Sequence, residues 1–193
     1  MMTMGYLHIT GGSIRNRKII GPSGKNTRPM QGFLRKTLFD LMQNDMSDRI
    51  VWDVFAGTGA IGIEALSRGA SQVYFIEKDP RMGAIIQRNL TLCGFEKKCR
   101  VLIVDFFQID TLLSRMDKPD IVFLDPPFFM NQAEIIKKIY NFKQLFIGSL
   151  IIIRYPKFKD LLSVCSFYDI KMLRTYGESV LAFGSFREGF IDG

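Results

Sequence analysis

Apolar residues along the chain follow two alternating rhythms. Short blocks rich in Val, Ile and Phe occur at Ile50–Val54, Val73–Ile76, Arg100–Val104, Ile121–Leu124 and Leu150–Ile153. Runs this short and this apolar predict strands covered on both faces. Between them, apolar positions recur at helical spacing over Ala60–Leu66, Arg81–Leu92, Phe106–Met116 and Gln132–Tyr140. Gly94 is placed to cap the second of these helices. Strand and helix in alternation predict a doubly wound, mostly parallel α/β sheet. After Lys159 the rhythm changes. Phe167–Thr175 and Ser179–Phe186 flank Tyr176-Gly177-Glu178, which predicts an antiparallel C-terminal hairpin.

The N-terminal part has its own pattern. Tyr6–Thr10 and Lys18–Ile20 read as two strands, with Gly11-Gly12 as a turn signal. Gly21–Pro29 is loop-like. From Gln31 to Gln43, Phe33, Leu34, Leu38, Leu41 and Met42 recur at helical spacing, and Arg35 and Lys36 between them are expected to face out. Residues 1–45 are therefore expected to form a small basic hairpin-and-helix appendage on a main domain of residues 46–193.

Charge sharpens that division. The net charge is +7, and residues 1–39 hold seven basic residues and no acid, so the excess lies entirely in the N-terminal fifth. Such a concentration predicts a surface for a polyanion, with Arg15, Arg17, Lys18, Arg28 and Arg35 as candidates; the plainer alternative is a solvated arm without a partner. Cysteine and histidine narrow the chemistry. Cys93, Cys99 and Cys165 form no Cys-x-x-Cys pair, and His8 is the only histidine. A zinc site and a histidine-based triad are not expected, and the odd cysteine count fits a reducing cytoplasm. No signal peptide is visible, and the most apolar tract, Leu145–Ile153, is far shorter than a membrane span. The seventeen phenylalanines are expected mainly in the core.

The chain is organised around Ile50–Leu66, a strand, a glycine loop and a helix. Gly57-x-Gly59-x-x-Gly62 has the spacing of a dinucleotide fingerprint, and Glu77 stands where an acid meets a ribose hydroxyl. Asp53 changes that reading. A carboxylate before the loop repels a pyrophosphate but can anchor, directly or through water, a cationic amino-acid moiety. S-adenosylmethionine carries an ammonium and a sulfonium and no phosphate, so it suits the site better. A tight strand-to-helix turn with no ligand is the simpler alternative. Carboxylates are expected at four strand ends: Asp53, Glu77, Asp105 and Asp125. In an open parallel sheet that edge forms the ligand crevice.

Asp125-Pro126-Pro127-Phe128 follows the fourth strand. Two prolines fix the backbone, remove two donors and leave rigid carbonyls. A carboxylate and a carbonyl together can accept both hydrogens of an exocyclic base amine and aim its lone pair at an electrophile. Phe128 offers a face on which a displaced base can stack. Methyl transfer to such an amine needs positioning more than a strong base, so the scarcity of histidine is no obstacle.

At these residues the chain resembles the RsmD-type bacterial 16S rRNA (guanine-N2)-methyltransferases. The likeness runs through Asp53–Ala70, Phe75–Asp79 and Asp125–Phe128, and reaches the start at Ile9–Lys18, Arg28-Pro29 and Arg35–Phe39. It implies a seven-stranded Rossmann-like methyltransferase sheet, S-adenosylmethionine as cofactor, and a guanine of small-subunit rRNA in ribosome-assembly intermediates as substrate. It also implies a cytoplasmic enzyme, and a monomer is expected. By the resemblance, Asp53 and Gly57 line the methionine side of the cofactor, Glu77 holds the ribose and Asp105 the adenine amine. Phe55, Ala56, Thr58, Gly59, Lys78 and Phe106 complete the candidate cofactor set. Asp125, Pro126, Pro127 and Phe128 are the candidate catalytic residues, and no metal ligand is assigned. The chain departs from the family pattern at Met30–Leu34, at Lys36 where Glu is usual, and at Phe128 where many members have Tyr. Three other readings remain at this point: amine methylation of DNA adenine or cytosine, a non-catalytic RNA-binding assembly module, and a nicotinamide oxidoreductase.

Overall fold

The computed structural model describes residues 5–21, 32–43, 46–159 and 167–186. Its centre is a seven-stranded sheet. β3 (Ile50–Val54), β4 (Gln72–Glu77), β5 (Cys99–Ile103), β6 (Ile121–Leu124) and β7 (Leu150–Pro156) are parallel. β8 (Tyr168–Tyr176) and β9 (Ser179–Phe186) are antiparallel, with β9 on β7. The spatial order is β5-β4-β3-β6-β7-β9-β8. The chain runs from β3 outward to β5 and then returns to the other side of β3 as β6. The switch point therefore lies between β3 and β6, where such sheets open a crevice at their carboxyl ends.

Side-chain alternation sends successive residues to opposite faces. Val51, Val73, Phe75 and Phe123 pack on one face with α2 (Ala60–Ser67) and α3 (Pro80–Cys93). Trp52, Val54, Tyr74, Ile76, Val122, Ile151 and Ile153 pack on the other with α5 (Gln132–Tyr140) and Phe146 of α6 (Lys143–Phe146). Phe39, Phe75, Phe106, Phe123, Phe146, Phe183 and Phe186 are buried, whereas Phe33, Phe129 and Phe158 stand in solvent. Among the described residues no helix is long and apolar enough to cross a membrane.

Strands and helices fall close to where the hydrophobic rhythm places them, with two differences. The helix expected over Phe106–Met116 is a 3-10 turn, Phe106–Gln108, followed by the one-turn α4 (Asp110–Leu113). The strand before it stops at Ile103, so Asp105 lies beyond the strand end, and its carboxylate accepts from Phe107 N–H at 2.9 Å to cap the turn. A side chain that bonds its own backbone in this way competes with a regular helix start.

The N-terminal hairpin of β1 (Tyr6–His8) and β2 (Lys18–Ile20) lies on the α2 and α3 side of the sheet, held tightly. Ile9 and Ile19, with Leu34, Leu38 and Phe39 of α1 (Gly32–Leu41), belong to the same apolar cluster as α2. Gly11 and Gly12 serve close approach rather than a two-residue turn. A Cβ at Gly12, which has φ +77°, would lie 1.9 Å from the Ser67 carbonyl oxygen, and one at Gly11 would meet the Arg68 guanidinium. The Ser67 hydroxyl donates to the Gly11 carbonyl at 2.6 Å, and Ser13 N–H donates to the Ser67 carbonyl at 2.7 Å.

Arg35 requires a correction. The expectation that it faces out toward RNA fails, because it is fully buried. It shares the buried face of α1 with Leu34, Leu38 and Phe39. Glu64 of α2, also fully buried, accepts from Arg35 Nε at 3.1 Å, from Arg68 Nε at 3.0 Å and from Thr10 N–H at 2.8 Å. Arg35 Nη2 also donates to the His8 carbonyl at 2.5 Å. A charge in a core needs compensation of this kind. Arg35 therefore ties hairpin, α1 and α2 together. Arg28 and Cys165 lie outside the described residues.

Candidate active site

The carboxyl ends of β3, β4 and β6 open into a cleft of ≈ 670 Å³. It is lined by Asp53, Phe55, Ala56, Gly57, Thr58, Glu77, Lys78, Asp105, Phe106 and the whole Asp125–Phe128 motif. The structure thus brings together every candidate cofactor and catalytic residue except Gly59. Gly59 stands just behind the wall, where a Cβ would press on Phe75 and Ile86 at 3.2–3.3 Å.

The loop after β3 explains the three glycines separately. Gly57 has φ +55°, and a Cβ there would meet nothing within 4 Å, so the bare backbone faces open space at the cleft. Gly59 has φ +76° and sits at the N-cap of α2, where it can offer no side-chain cap. Asp53 supplies that cap from the strand, its Oδ2 accepting from Gly62 N–H at 2.8 Å. Gly62 itself is needed for packing, since a Cβ would lie 2.3 Å from the Phe75 ring. Phe55 adopts φ +63°, a left-handed conformation uncommon for a non-glycine residue. Its ring meets Phe106 at 5.3 Å between centroids, giving the cleft an aromatic wall.

Glu77 holds the loop from the neighbouring strand. Its Oε2 accepts from Gly57 N–H at 2.8 Å, and its Oε1 accepts from Asp79 N–H at 2.9 Å. Each carboxylate oxygen has a second lone pair, so both can still accept from a ligand hydroxyl. Asp79 in turn caps α3, and its partly exposed carboxylate is lowered from its usual range by Arg81.

Asp53 is almost fully buried, and its carboxyl lies well above the usual range. Burial is the main cause; the Gly62 bond opposes it, and the negative charges of Asp125 and Glu77 reinforce it. A cation in the cleft would relieve this repulsion, and a sulfonium or ammonium group has that sign. Together with the bare Gly57 backbone, this fits the cleft to S-adenosylmethionine. Folding disfavours the Asp53 anion, so its cost is absent below about pH 4, the ordinary carboxyl range, and grows as pH rises toward the shifted value. Asp53→Asn can keep the Gly62 bond while removing the charge. It is expected to raise the Tm of the ligand-free protein by a few degrees at pH 8 but not at pH 3.5, while weakening cofactor binding in calorimetry.

Asp125 follows β6 and forms an ion pair with Arg154 of β7. Its carboxyl lies above the usual range because of burial, an effect that Arg154 offsets only in part. The Arg154 guanidinium lies over the Phe128 ring, 4.6 Å from its centroid. Sequence reasoning missed Arg154. The available signal was a cation in the otherwise apolar run Leu150–Tyr155. Of the two rigid carbonyls expected to point outward, that of Pro127 is used within the loop, accepting from Met130 N–H at 3.0 Å. Both prolines line the cleft, Pro126 buried and Pro127 exposed, which leaves the Pro126 carbonyl as the candidate acceptor.

Arg15, Arg17 and Lys18 are exposed on the turn and return strand of the hairpin, as expected. They line a shallow open depression with Leu92 of α3. Asn89 joins this hairpin to the cleft. It accepts from Ile20 N–H at 2.7 Å and donates to the Ile20 and Thr58 carbonyls, both at 3.0 Å.

A doubly wound sheet with this crevice, a cofactor-type glycine loop and an Asp-Pro-Pro-Phe corner defines a methyltransferase of the Rossmann-like class. The fold is shared, over 95% of this chain and 99% of the other, with yhhF of Escherichia coli, at 26% identity and a TM-score of 0.77. A methylase structure from Haemophilus influenzae covers 95% of this chain at 26% identity and a TM-score of 0.71. Among relatives by sequence, "Ribosomal RNA small subunit methyltransferase D" of Haemophilus influenzae is 35% identical over 134 residues, 67% of this chain and 68% of that protein. The protein of the same name from Escherichia coli K12 is 35% identical over 124 residues, 64% of this chain and 61% of that protein. The family model described as "Conserved hypothetical protein 95" matches residues 7–185, and the chain belongs to that family.

Proposed function

We propose that the protein transfers a methyl group from S-adenosylmethionine to the exocyclic N2 amine of a guanine in small-subunit rRNA during ribosome assembly. The observation that carries this reading is the convergence of Asp53, Gly57, Glu77 and the Asp125–Phe128 corner on one cleft at the switch point. The small-subunit rRNA methyltransferases D to which the chain is similar support the choice of polymer.

Bound in the cleft, S-adenosylmethionine supplies an electrophilic methyl group on a sulfonium. The chain's residues do the rest. Asp53 and the Gly57 backbone hold the methionine end, Glu77 accepts from the ribose hydroxyls, and Phe55 and Phe106 flank the adenine, with Asp105 toward its amine. Lys78 borders the same cleft. Asp125 and the Pro126 carbonyl accept the two hydrogens of the target amine and fix its lone pair along the line of displacement. Phe128 carries the displaced base on the ring face that Arg154 leaves open. The exposed Phe129 ring at the rim extends that surface.

Arg15, Arg17 and Lys18 supply phosphate contacts remote from the cleft. Replacing all three by Gln is expected to weaken RNA binding roughly uniformly across sequences. It should also reduce the steepness of log affinity against log salt by roughly 2–3, at roughly 0.7–0.9 for each phosphate no longer neutralised. An unchanged slope would move the attachment surface elsewhere. The test of the reading itself is a labelled-methyl transfer assay. Small ribosomal subunits from cells lacking this activity are expected to take the label, with duplex DNA offered in parallel and remaining unlabelled.

A further inference from the structure

We propose that Arg154 is a positioning residue, holding the Asp125 carboxylate and the Phe128 ring in the one arrangement that can receive the target amine. The inference rests on the reading of Asp125 and Phe128 given above.

Strand register places Arg154 there. β6 and β7 are parallel with Leu124 opposite Ile153, so the next pair in step is Asp125 and Arg154. Alternation then sends both side chains to the same face as Phe123 and Ile152, which is the face of Asp53 and α2. Arg154 is 8% exposed, so its guanidinium reaches Asp125 with little competition from water.

The contacts divide its donors usefully. Nε donates to Asp125 Oδ1, which leaves Oδ2 as the acceptor for an incoming N–H. Nη1 donates to the Ser179 hydroxyl of β9 at 3.4 Å, which braces the guanidinium from the far side. The same plane covers one face of Phe128. One flat group therefore fixes the acceptor and the stacking ring together, a task that suits a planar guanidinium better than an ammonium. The strand's continuation adds a second tie, since Lys159 Nζ donates to the Met130 carbonyl at 2.6 Å and anchors the end of the same loop.

Arg154 also keeps Asp125 an acceptor. The charged groups facing Asp125 are Arg154 from β7 and Asp53 from β3, with Glu77 of β4 acting on Asp53. Without Arg154, burial favours the protonated acid, whose O–H is a donor and whose remaining oxygen accepts more weakly than a carboxylate.

The test uses the full chain with Arg154→Met and Arg154→Lys. Single-turnover methyl transfer to small ribosomal subunits is followed against pH, alongside thermal melting, cofactor calorimetry and carboxyl NMR of Asp125. For Arg154→Met we expect cofactor affinity within about threefold of wild type and a transfer rate down roughly 10²-fold at pH 7. The Asp125 titration and the acid limb of the rate profile should both move up by at least about one pH unit. Arg154→Lys should restore the acid limb and recover only part of the rate, because charge returns without the planar stack. A wild-type Asp125 titration and rate profile in Arg154→Met would overturn the proposal. If the wild-type protein labels no rRNA, the functional reading fails; the NMR titration still decides the Arg154–Asp125 relation by itself. If Arg154→Met does not fold, Arg154→Lys decides: full wild-type rate there overturns the role of the planar group.

Discussion

Asp125→Ala is expected to lose methyl transfer by at least about 10²-fold while the cofactor still binds. In the proposed site the carboxylate is one of the two acceptors that hold the target amine, and positioning of this kind accounts for several kcal/mol of a displacement barrier. Cofactor affinity should change little, because the proposed role of Asp125 is toward the target amine, while Asp53 and Glu77 stay in the cleft. Truncation also strands Arg154, which is 8% exposed, so Asp125→Asn is the companion variant that retains one acceptor and the side-chain volume. Single-turnover transfer and calorimetry on both proteins check the result. Wild-type turnover by Asp125→Ala would remove the residue from the mechanism.

Glu64→Ala is the second large effect, and it falls on stability. It leaves Arg35 fully buried without its carboxylate and removes the acceptor shared by Arg68 and Thr10. Breaking one partner of a buried pair costs about 3–5 kcal/mol. In a chain of this size each kcal/mol is worth roughly 2–4 °C, so Tm should fall by about 6–20 °C. The hairpin should loosen first, because Thr10 and the His8 carbonyl are both held through this network. Thermal melting measures the first effect, and amide exchange at Ile9 and Ile19 measures the second. The contrast with Lys36 is instructive. Lys36 sits one residue from Arg35 but forms an exposed pair with Asp40, and its loss should cost well under 1 kcal/mol.

The sheet was legible because its inner strands β3, β4, β6 and β7 are buried on both faces and so read as nearly unbroken apolar blocks. The cofactor loop was legible because positive φ at Gly57 and close packing at Gly62 both demand glycine at fixed places. What escaped notice were the charges inside apolar elements. Glu64 sits within Ala60–Leu66 and Arg154 within Leu150–Tyr155, and each is buried against a partner far away in the chain. Periodicity assigns a charged residue to solvent by default, and only tertiary packing decides when an ion pair overrides that. Arg35 was misplaced for this reason. A lone charge in an apolar run was the available warning, and it marked the clamp that holds the hairpin and the partner of Asp125 behind the Asp125–Phe128 corner. Asp105 escaped differently, since a capping bond two residues long ended its strand early.

The account's central claim is that this cleft delivers a methyl group to the exocyclic amine of guanine in small-subunit rRNA. Nucleoside analysis tests it most directly. Small ribosomal subunits lacking the modification are incubated with the protein and labelled S-adenosylmethionine, and the rRNA is digested to nucleosides and resolved by mass spectrometry. The account predicts label in N2-methylguanosine at a single site. Label in another nucleoside, or none in rRNA alongside label in DNA, would contradict it.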